Sequence, residues 1–436
     1  MQWGLLACFG AYLAGVAFVR IDSFEHHLRM YRADLSNPSR LVSLHIVLCS
    51  GMLFMAAVLM AVFAALGGRE PGASRLRKLA EIEAFLFILL AVDIRFALAP
   101  ALGLPWFHAI HAGVLLAQAV VLVQFRDLLV GRAALVVAAG IGLASSAVVP
   151  VFDLFIAEDE RWHLWLEEGT RAVSCLAWIY FAWTLFAHRV RSDPQVAIAK
   201  NSATGRIVWA LAGSIGALVV AGAFVAITPL VTKHDRIFGT IPLFHLDAEW
   251  TIPAFFSTMM LVAASALAAA LACFARANGS RWRMRWAILS GGFFYMAVDE
   301  SISLHETIGD PIHALLPLKG TIFEYAWVVA AIPLVIVLAV YFLPMLWNMP
   351  KADRNRLILA GVVYLGGAIG AETLSGSTDV YIGNDTILYQ LTVILEEGME
   401  MAGLGLLIRT LILMLPLSPP RLSGEMSRPT GELARA

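Results

Sequence analysis

The sequence predicts an all-α integral membrane protein of about 12 transmembrane helices, built as a parallel 6+6 tandem repeat. Three observations predict it. The composition is 60% hydrophobic and 14% charged over 436 residues, the profile of a chain whose solvent is the bilayer. Twelve stretches reach the roughly 20 apolar residues that a helix needs to cross a hydrocarbon core of about 30 Å. The tetrapeptide Leu166-Glu167-Glu168-Gly169 returns as Leu395-Glu396-Glu397-Gly398, each time opening a long apolar run.

The segments lie near 2–19, 41–66, 80–99, 107–125, 133–152, 165–187, 207–228, 252–275, 286–304, 322–345, 357–375 and 388–414. The first lacks a basic n-region and a small-residue cleavage site, so it reads as a retained helix. Lys and Arg number 21 on the side holding the 2–3, 4–5, 6–7, 8–9 and 10–11 loops and the C-terminal end, Arg409 included, against 8 on the other. The positive-inside rule then puts both termini in the cytoplasm; the location expected of the multipass chain is a bacterial inner membrane. The 20–40 loop, with Arg20, Arg29, Arg32 and Arg40, dissents. The 418–436 tail is rich in Pro, Ser, Gly and Arg and is expected to be disordered and cytoplasmic.

Six helices per copy is an even number, so the two copies share one orientation about an axis along the membrane normal. A second ordered match supports duplication: Ala91-Val92-Asp93 corresponds to Ala297-Val298-Asp299. Pro38 and Pro253 each start a helix with an acid four residues earlier. The expected units are 1–200, a scaffold copy, and 201–417, an acid-rich copy. The offset between them grows from 206 at Asp93 to 229 at Glu167, which places the extra residues mostly in the 9–10 and 11–12 loops.

A net charge of −1 without a polybasic arm gives no reason to expect nucleic acid; the partner implied is membrane lipid, and the oligomeric state stays open. Cys8, Cys49, Cys175 and Cys273 fall in four different apolar segments without C-x-x-C spacing and read as packing residues. No nucleotide loop and no C-x-x-C-H haem motif occurs, which argues against ATP-driven pumping and c-type electron transfer.

The candidate chemistry concentrates in the second copy. The ninth segment ends in Asp299-Glu300-Ser301-Ile302-Ser303-Leu304-His305-Glu306, a D-E-x-x-x-x-H-E pattern. On a continuous helix Asp299, Ser303 and Glu306 share a face, Glu300 flanks it, and His305 lies to one side. Glu396 and Glu400 stand one turn apart on a face with Gly403, and Glu397 flanks them. Glu324 and Glu372 stand in the outer parts of segments 10 and 11. With Arg409 counted in the C-terminal end, no Lys or Arg falls inside segments 7–12, so eight carboxylates have no intramembrane cation in their own half. An unpaired ionised carboxylate at mid-membrane costs at least about 3 kcal/mol. Protons would neutralise them, because desolvation and like charge both favour the protonated carboxyl. So would a divalent metal, Fe, Mn or Zn, held by carboxylates and imidazole. Exposure in a wet outer vestibule is the third solution.

Ahead of segment 8, His245-x-Asp247-x-Glu249 would point three ligands one way if extended; as helix-end acids, Asp247 and Glu249 would instead serve the positive end of segment 8. Asp310-Pro311-Ile312-His313 reads as a turn. In the first copy Asp93, Glu167 and Glu168 meet Arg95 and Arg171, a balanced set expected to be structural. Gly366 with Gly370, and Gly398 with Gly405, are small-residue faces expected to bring segments 11 and 12 together.

The stretch His245–Leu407 resembles a broad group of uncharacterised bacterial multipass membrane proteins that share a pre-helix acid-x-x-x-Pro element, a D-E-x-x-x-x-H-E helix end and a final E-E-x-x-E helix. The resemblance implies the residue set and no reaction. Di-iron bundles need paired E-x-x-H motifs, and Glu160 to His163 is the sole instance here.

Three function classes follow. The first is a carboxylate/His site near the non-cytoplasmic face of a membrane metalloenzyme acting on a lipid or small periplasmic molecule. Its metal set is Asp299, Glu300, His305, Glu306, Glu372, Glu396, Glu397, Glu400, His245, Asp247 and Glu249, with Asp299, Glu396 and Glu400 as catalytic candidates. The second is a cation- or proton-coupled secondary transporter, and the third a non-catalytic membrane subunit or assembly factor.

Overall fold

The structure is a computed structural model that describes residues 40–66, 72–96, 109–129, 132–155, 161–193, 198–199, 202–232, 244–248 and 251–418. The predicted first helix, the 20–40 loop, Glu249 and residues 419–436 lie outside the described residues. Apart from one two-residue strand pair, the regular elements of the described residues are helices: α1 Arg40–Ala65, α2 Ala73–Phe96, α3 Ala109–Gln124, the single turn α4 Arg126–Leu129, α5 Ala133–Phe155, α6 Arg161–Ser192 and α7 Ser202–Thr232. Then follow α8 Ile252–Ala277, α9 Arg283–Ile302, α10 Leu304–Leu315, α11 Trp327–Trp347, α12 Lys351–Leu365, a π-helical turn Gly366–Ala371, α13 Glu372–Ile382 and α14 Ile387–Met414.

Local chemistry sets several of these ends. The Thr251 hydroxyl accepts from the Ala254 amide at 3.3 Å, and Pro253 occupies the first turn, where its missing N–H costs nothing. Thr386 caps α14 in the same way through Tyr389. Gly383, at φ 94, ends α13 in a conformation only glycine adopts freely.

Six helical stretches among the described residues are long and apolar enough to cross a membrane: Ile46–Ala65, Gly169–Ser192, Gly205–Thr232, Ile252–Ala277, Trp327–Trp347 and Lys351–Ile382. The sequence predicts twelve. Of the others, α2, α9 and α14 carry charged residues in their interiors, and the apolar stretches of α3 and α5 are shorter.

The core gathers around α1, α6 and α8, where Leu53, Met60, Trp178, Phe181, Phe186 and Leu261 are fully buried. Alanines 264, 266, 268 and 270 are fully buried too, which lets α8 run close to its neighbours. By contrast α11 turns Ile336, Val337 and Val340 outward, and α7 turns Trp209, Val220 and Phe224 outward, as helices facing acyl chains do. Cys49, Cys175 and Cys273 are buried.

Helix pairs α1–α2, α5–α6 and α1–α6 pack extensively, and so do α8–α9, α12–α14 and α8–α14; α1 and α8 pack against each other. A two-residue parallel strand pair, Ile198↔Leu417 and Ala199↔Ser418, brings the ends of α6 and α14 to one place.

The structure revises four local expectations. Residues 304–315 are helical, with Pro311 and His313 inside α10, so Asp310-Pro311-Ile312-His313 is no turn. Residues 245–248 form a turn, so the alternation expected of an extended stretch does not operate there. The 11–12 connection is only the residues between Ile382 and Ile387. Arg409 lies inside α14, which continues to Met414; at 1.5 Å per residue it stands about 14 Å along the axis from Glu400.

Candidate functional site

The site is built where α9, α12, α13 and α14 meet below the 244–248 turn. Ser303 adopts a left-handed φ of 46 and is buried, and this breaks the helix between α9 and α10. The break overturns the helical-wheel expectation for the D-E-x-x-x-x-H-E end. Instead of lying aside, His305 folds back on Asp299: its amide donates to Oδ1 at 2.8 Å and its Nδ1 lies 3.0 Å from Oδ2. Asp299 thereby caps the first turn of α10 from the preceding helix.

From His305 a chain of contacts runs through the site. Its ring stacks, tilted, on Trp327 at 4.8 Å between centroids. The Trp327 indole N–H donates to Glu372 Oε1 at 2.7 Å. Ser375, one turn beyond Glu372, donates to Glu396 Oε2 at 2.7 Å. The structure therefore brings Asp299, His305, Glu372 and Glu396 into one network. Glu400 lies within electrostatic reach of Glu300, Glu397, Glu396 and Glu372, and the half-buried Tyr364 phenol lies within reach of Glu400, Glu300, Asp299 and Glu397.

The helices approach closely at glycines other than the expected ones. A Cβ on Gly367 would sit 2.8 Å from the Glu396 carbonyl oxygen and 2.9 Å from Glu400 Cγ; one on Gly403 would sit 2.7 Å from Tyr364 Cα. Gly370 meets open space, while Gly398 and Gly405 face Val219 and Ile215 of α7. Of the expected set, Gly366 alone faces α14, against the flexible Met399 end. Gly367 also lies in the π-helical turn, whose extra residue per turn sets Glu372 at the start of α13.

Above the cluster, the Tyr389 hydroxyl donates to Asp247 Oδ2 at 3.1 Å, and Tyr325 hydrogen-bonds Tyr389. Asp247 keeps part of its side chain open to solvent, yet desolvation where it meets these tyrosines raises its carboxyl above the ordinary value, against the pull of Tyr389 and His245. Its charge also acts on Glu396 and Glu397. Glu324 stays apart, its Oε2 accepting from the Gly320 amide at 2.6 Å. His313 Nε2 lies 2.9 Å from the Glu324 carbonyl oxygen. The side chain of Glu306 lies outside the described residues. Among the described residues no three His, Cys, Asp or Glu side chains are grouped so as to hold a metal ion.

The first half differs. Asp93 Oδ2 lies 3.8 Å from His111 Nδ1, both buried, a partner the sequence reading assigned to no role. His111 and Arg171 line a small cavity with Leu53, Ser146, Ser174 and Cys175. The side chains of Arg95, Glu167 and Glu168 lie outside the described residues. Sequence reasoning also missed Glu83, fully buried with one oxygen accepting from Gln118 Nε2 at 3.2 Å. Trp327, Tyr364 and Ser375 were missed in the second half; the signal available for Ser375 was its place one turn from Glu372.

Residues 211–415 match a family described as a domain of unknown function, DUF8692. No curated protein and no solved structure matches the chain.

Proposed function

We propose that the chain is a multipass inner-membrane protein of two parallel six-helix units, 1–200 and 201–417, whose second unit binds a coupling cation through its carboxylates as a secondary transporter. The observation that carries this reading is that Asp299, Glu300, Glu372, Glu396, Glu397 and Glu400, from three helices, lie within electrostatic reach of Glu400 or Tyr364, with the neutral donors Trp327 and Ser375 bonded to Glu372 and Glu396. Carboxylates gathered this closely in a lipid-embedded site repel one another, which a proton or a bound cation relieves. The left-handed break at Ser303 and the π-helical turn beside Glu372 support it, because discontinuous helices are how such carriers build ion sites.

Several observations favour the repeat. The pairs α1–α2, α5–α6 and α1–α6 have counterparts in α8–α9, α12–α14 and α8–α14, and α1 meets its own counterpart α8. Ser146 and Ser375 are 229 residues apart, the offset of Glu167 and Glu396, and each hydrogen-bonds the helix that carries the Leu-Glu-Glu-Gly tetrapeptide. That common offset puts the extra residues of the second unit before Ser375, where α10 lies. The family match covers only the second unit. The parallel strand pair favours both units ending on one side, which loop charge makes the cytoplasm.

The test is charge displacement in liposomes reconstituted with the purified protein. A pulse of the coupling cation should displace charge with the wild type and not with Glu396→Gln/Glu400→Gln; equal currents would reject the reading. The Asp299–His305 pair favours a second reading, a membrane metalloenzyme, because a carboxylate commonly orients a metal-binding imidazole. That reading requires stoichiometric Fe, Mn or Zn in the purified protein and a melting temperature lowered by chelator. Metal-free, chelator-insensitive protein ends it.

A further inference from the structure

At the end of the bundle opposite the 244–248 turn, the α8–α9 turn and the α11–α12 turn lie side by side and carry one sign of charge. Residues 276–285 contain Arg276, Arg281, Arg283 and Arg285 and no acid; residues 351–356 add Lys351, Arg354 and Arg356, with Asp353 tied to Arg356 at 3.0 Å. Aromatic rings fix two of these guanidinium groups. Arg281 lies 4.3 Å above the Trp282 ring and donates to Asn348 Oδ1 at 3.2 Å. Arg285 lies 4.8 Å from the rings of both Trp282 and Tyr341 and donates through Nε to the Tyr341 carbonyl at 3.1 Å. These bonds use one of the five N–H donors of each arginine. The remaining donors are held in a fixed fork, the geometry that suits a phosphate oxygen pair. Beside them Trp347 and Met284 are exposed, and Val337, Val340 and Leu343 continue along α11 as an outward apolar strip.

We propose that this patch seats the phosphate headgroup of an anionic phospholipid between Arg281 and Arg285, with its acyl chains along α11. Charge complementarity selects the headgroup, since seven cationic side chains accompany a single acid, Asp353, which is already paired with Arg356. The apolar strip below selects a lipid over a soluble anion, because a phosphate with no tail would leave that contact unused. Trp282, Tyr341 and Trp347 sit at the level where aromatic side chains meet the headgroup layer. The proposal rests on the membrane reading above but not on the carboxylate site, and each can fail without the other.

The experiment is native mass spectrometry of the full chain released from detergent after titration with phosphatidylglycerol or with phosphatidylcholine. Wild type should retain phosphatidylglycerol selectively, and Arg281→Gln/Arg285→Gln should retain it roughly thirtyfold more weakly, about tenfold or less per arginine. Arg75→Gln, which removes an exposed cation from a different end of the sequence, should retain it as wild type does. The exposed Arg281→Gln alone keeps the test open where the double variant folds poorly, and should give the smaller loss. Retention unchanged in these two variants overturns the proposal, as does equal uptake of the two lipids by wild type. Inorganic phosphate that displaces phosphatidylglycerol at matched concentration would also overturn it, by showing a soluble-anion site.

Discussion

The two halves of the chain hold buried charge in different ways. In the first, Asp93 stands beside His111, and Arg171 lines the same enclosed cavity, so acid and base lie together among Leu53, Ser146 and Ser174. In the second, the position four residues after the tetrapeptide's first glutamate is Glu400 instead of Arg171, and it stands among Glu300, Glu396, Glu397 and Glu372. The first set places a base beside its acid. The second gathers acids, with the neutral donors Trp327 and Ser375 on Glu372 and Glu396. A neutral donor stabilises a carboxylate by about 1–3 kcal/mol, less than the cost of burying several such charges together. If the halves are copies of one unit, as proposed, the comparison separates a balanced scaffold copy from an acid-rich binding copy.

The largest effect that would break this contrast is at Arg171. Arg171→Ala removes the cation from a buried acid–base set and should lower thermal stability in detergent by about 3 kcal/mol. Glu400→Gln should melt like wild type and displace no charge on a cation pulse. A stable Arg171→Ala with an unfolded Glu400→Gln would reverse the roles assigned to the halves.

Next in size is the seam between α12 and α14. Gly367→Ala places a methyl 2.8 Å from the Glu396 carbonyl oxygen, where backbone cannot yield, and should destabilise by about 1–3 kcal/mol. Gly370→Ala, facing open space, should be neutral or slightly stabilising. Melting curves of the two variants side by side check it, and equal losses would remove the seam's special status.

His305→Ala should cost about 1 kcal/mol, the worth of one hydrogen bond and a ring contact on Trp327. A metal-bound His305 would instead show a loss of bound ion in elemental analysis. Asp247 gives the smallest effect. Its folded-state carboxyl is raised above the unfolded value, so its proton favours the folded chain at acid pH, and that contribution is lost as pH rises through the raised value. Asp247→Asn should flatten this decline; an unchanged pH profile would remove Asp247 as its source.

The sequence carried the helical architecture and the acid cluster far because both are written in local signals. Apolar length marks a helix, and a carboxylate in an apolar run stands out whatever packs against it. Ser303 was not legible, since serine has no preference for left-handed backbone and the helical period ran straight through it. Without that break, the pairing of His305 with Asp299 could not be seen. The glycine seam went astray because Gly367 and Gly403 differ from their neighbouring glycines only in what faces them. Glu83 was hidden differently. It stands near the start of the predicted 80–99 segment, just after Arg75, Arg77, Lys78 and Glu81, without a repeated motif to mark it, and its partner Gln118 comes from α3.

Both oxygens of Asp299 are engaged by the start of α10, an amphipathic segment flanked by the left-handed Ser303 on one side and the 316–326 stretch on the other. The first turn of α10 and the Asp299 side chain therefore hold one another in place: an unwound turn would leave both carboxylate oxygens without these donors.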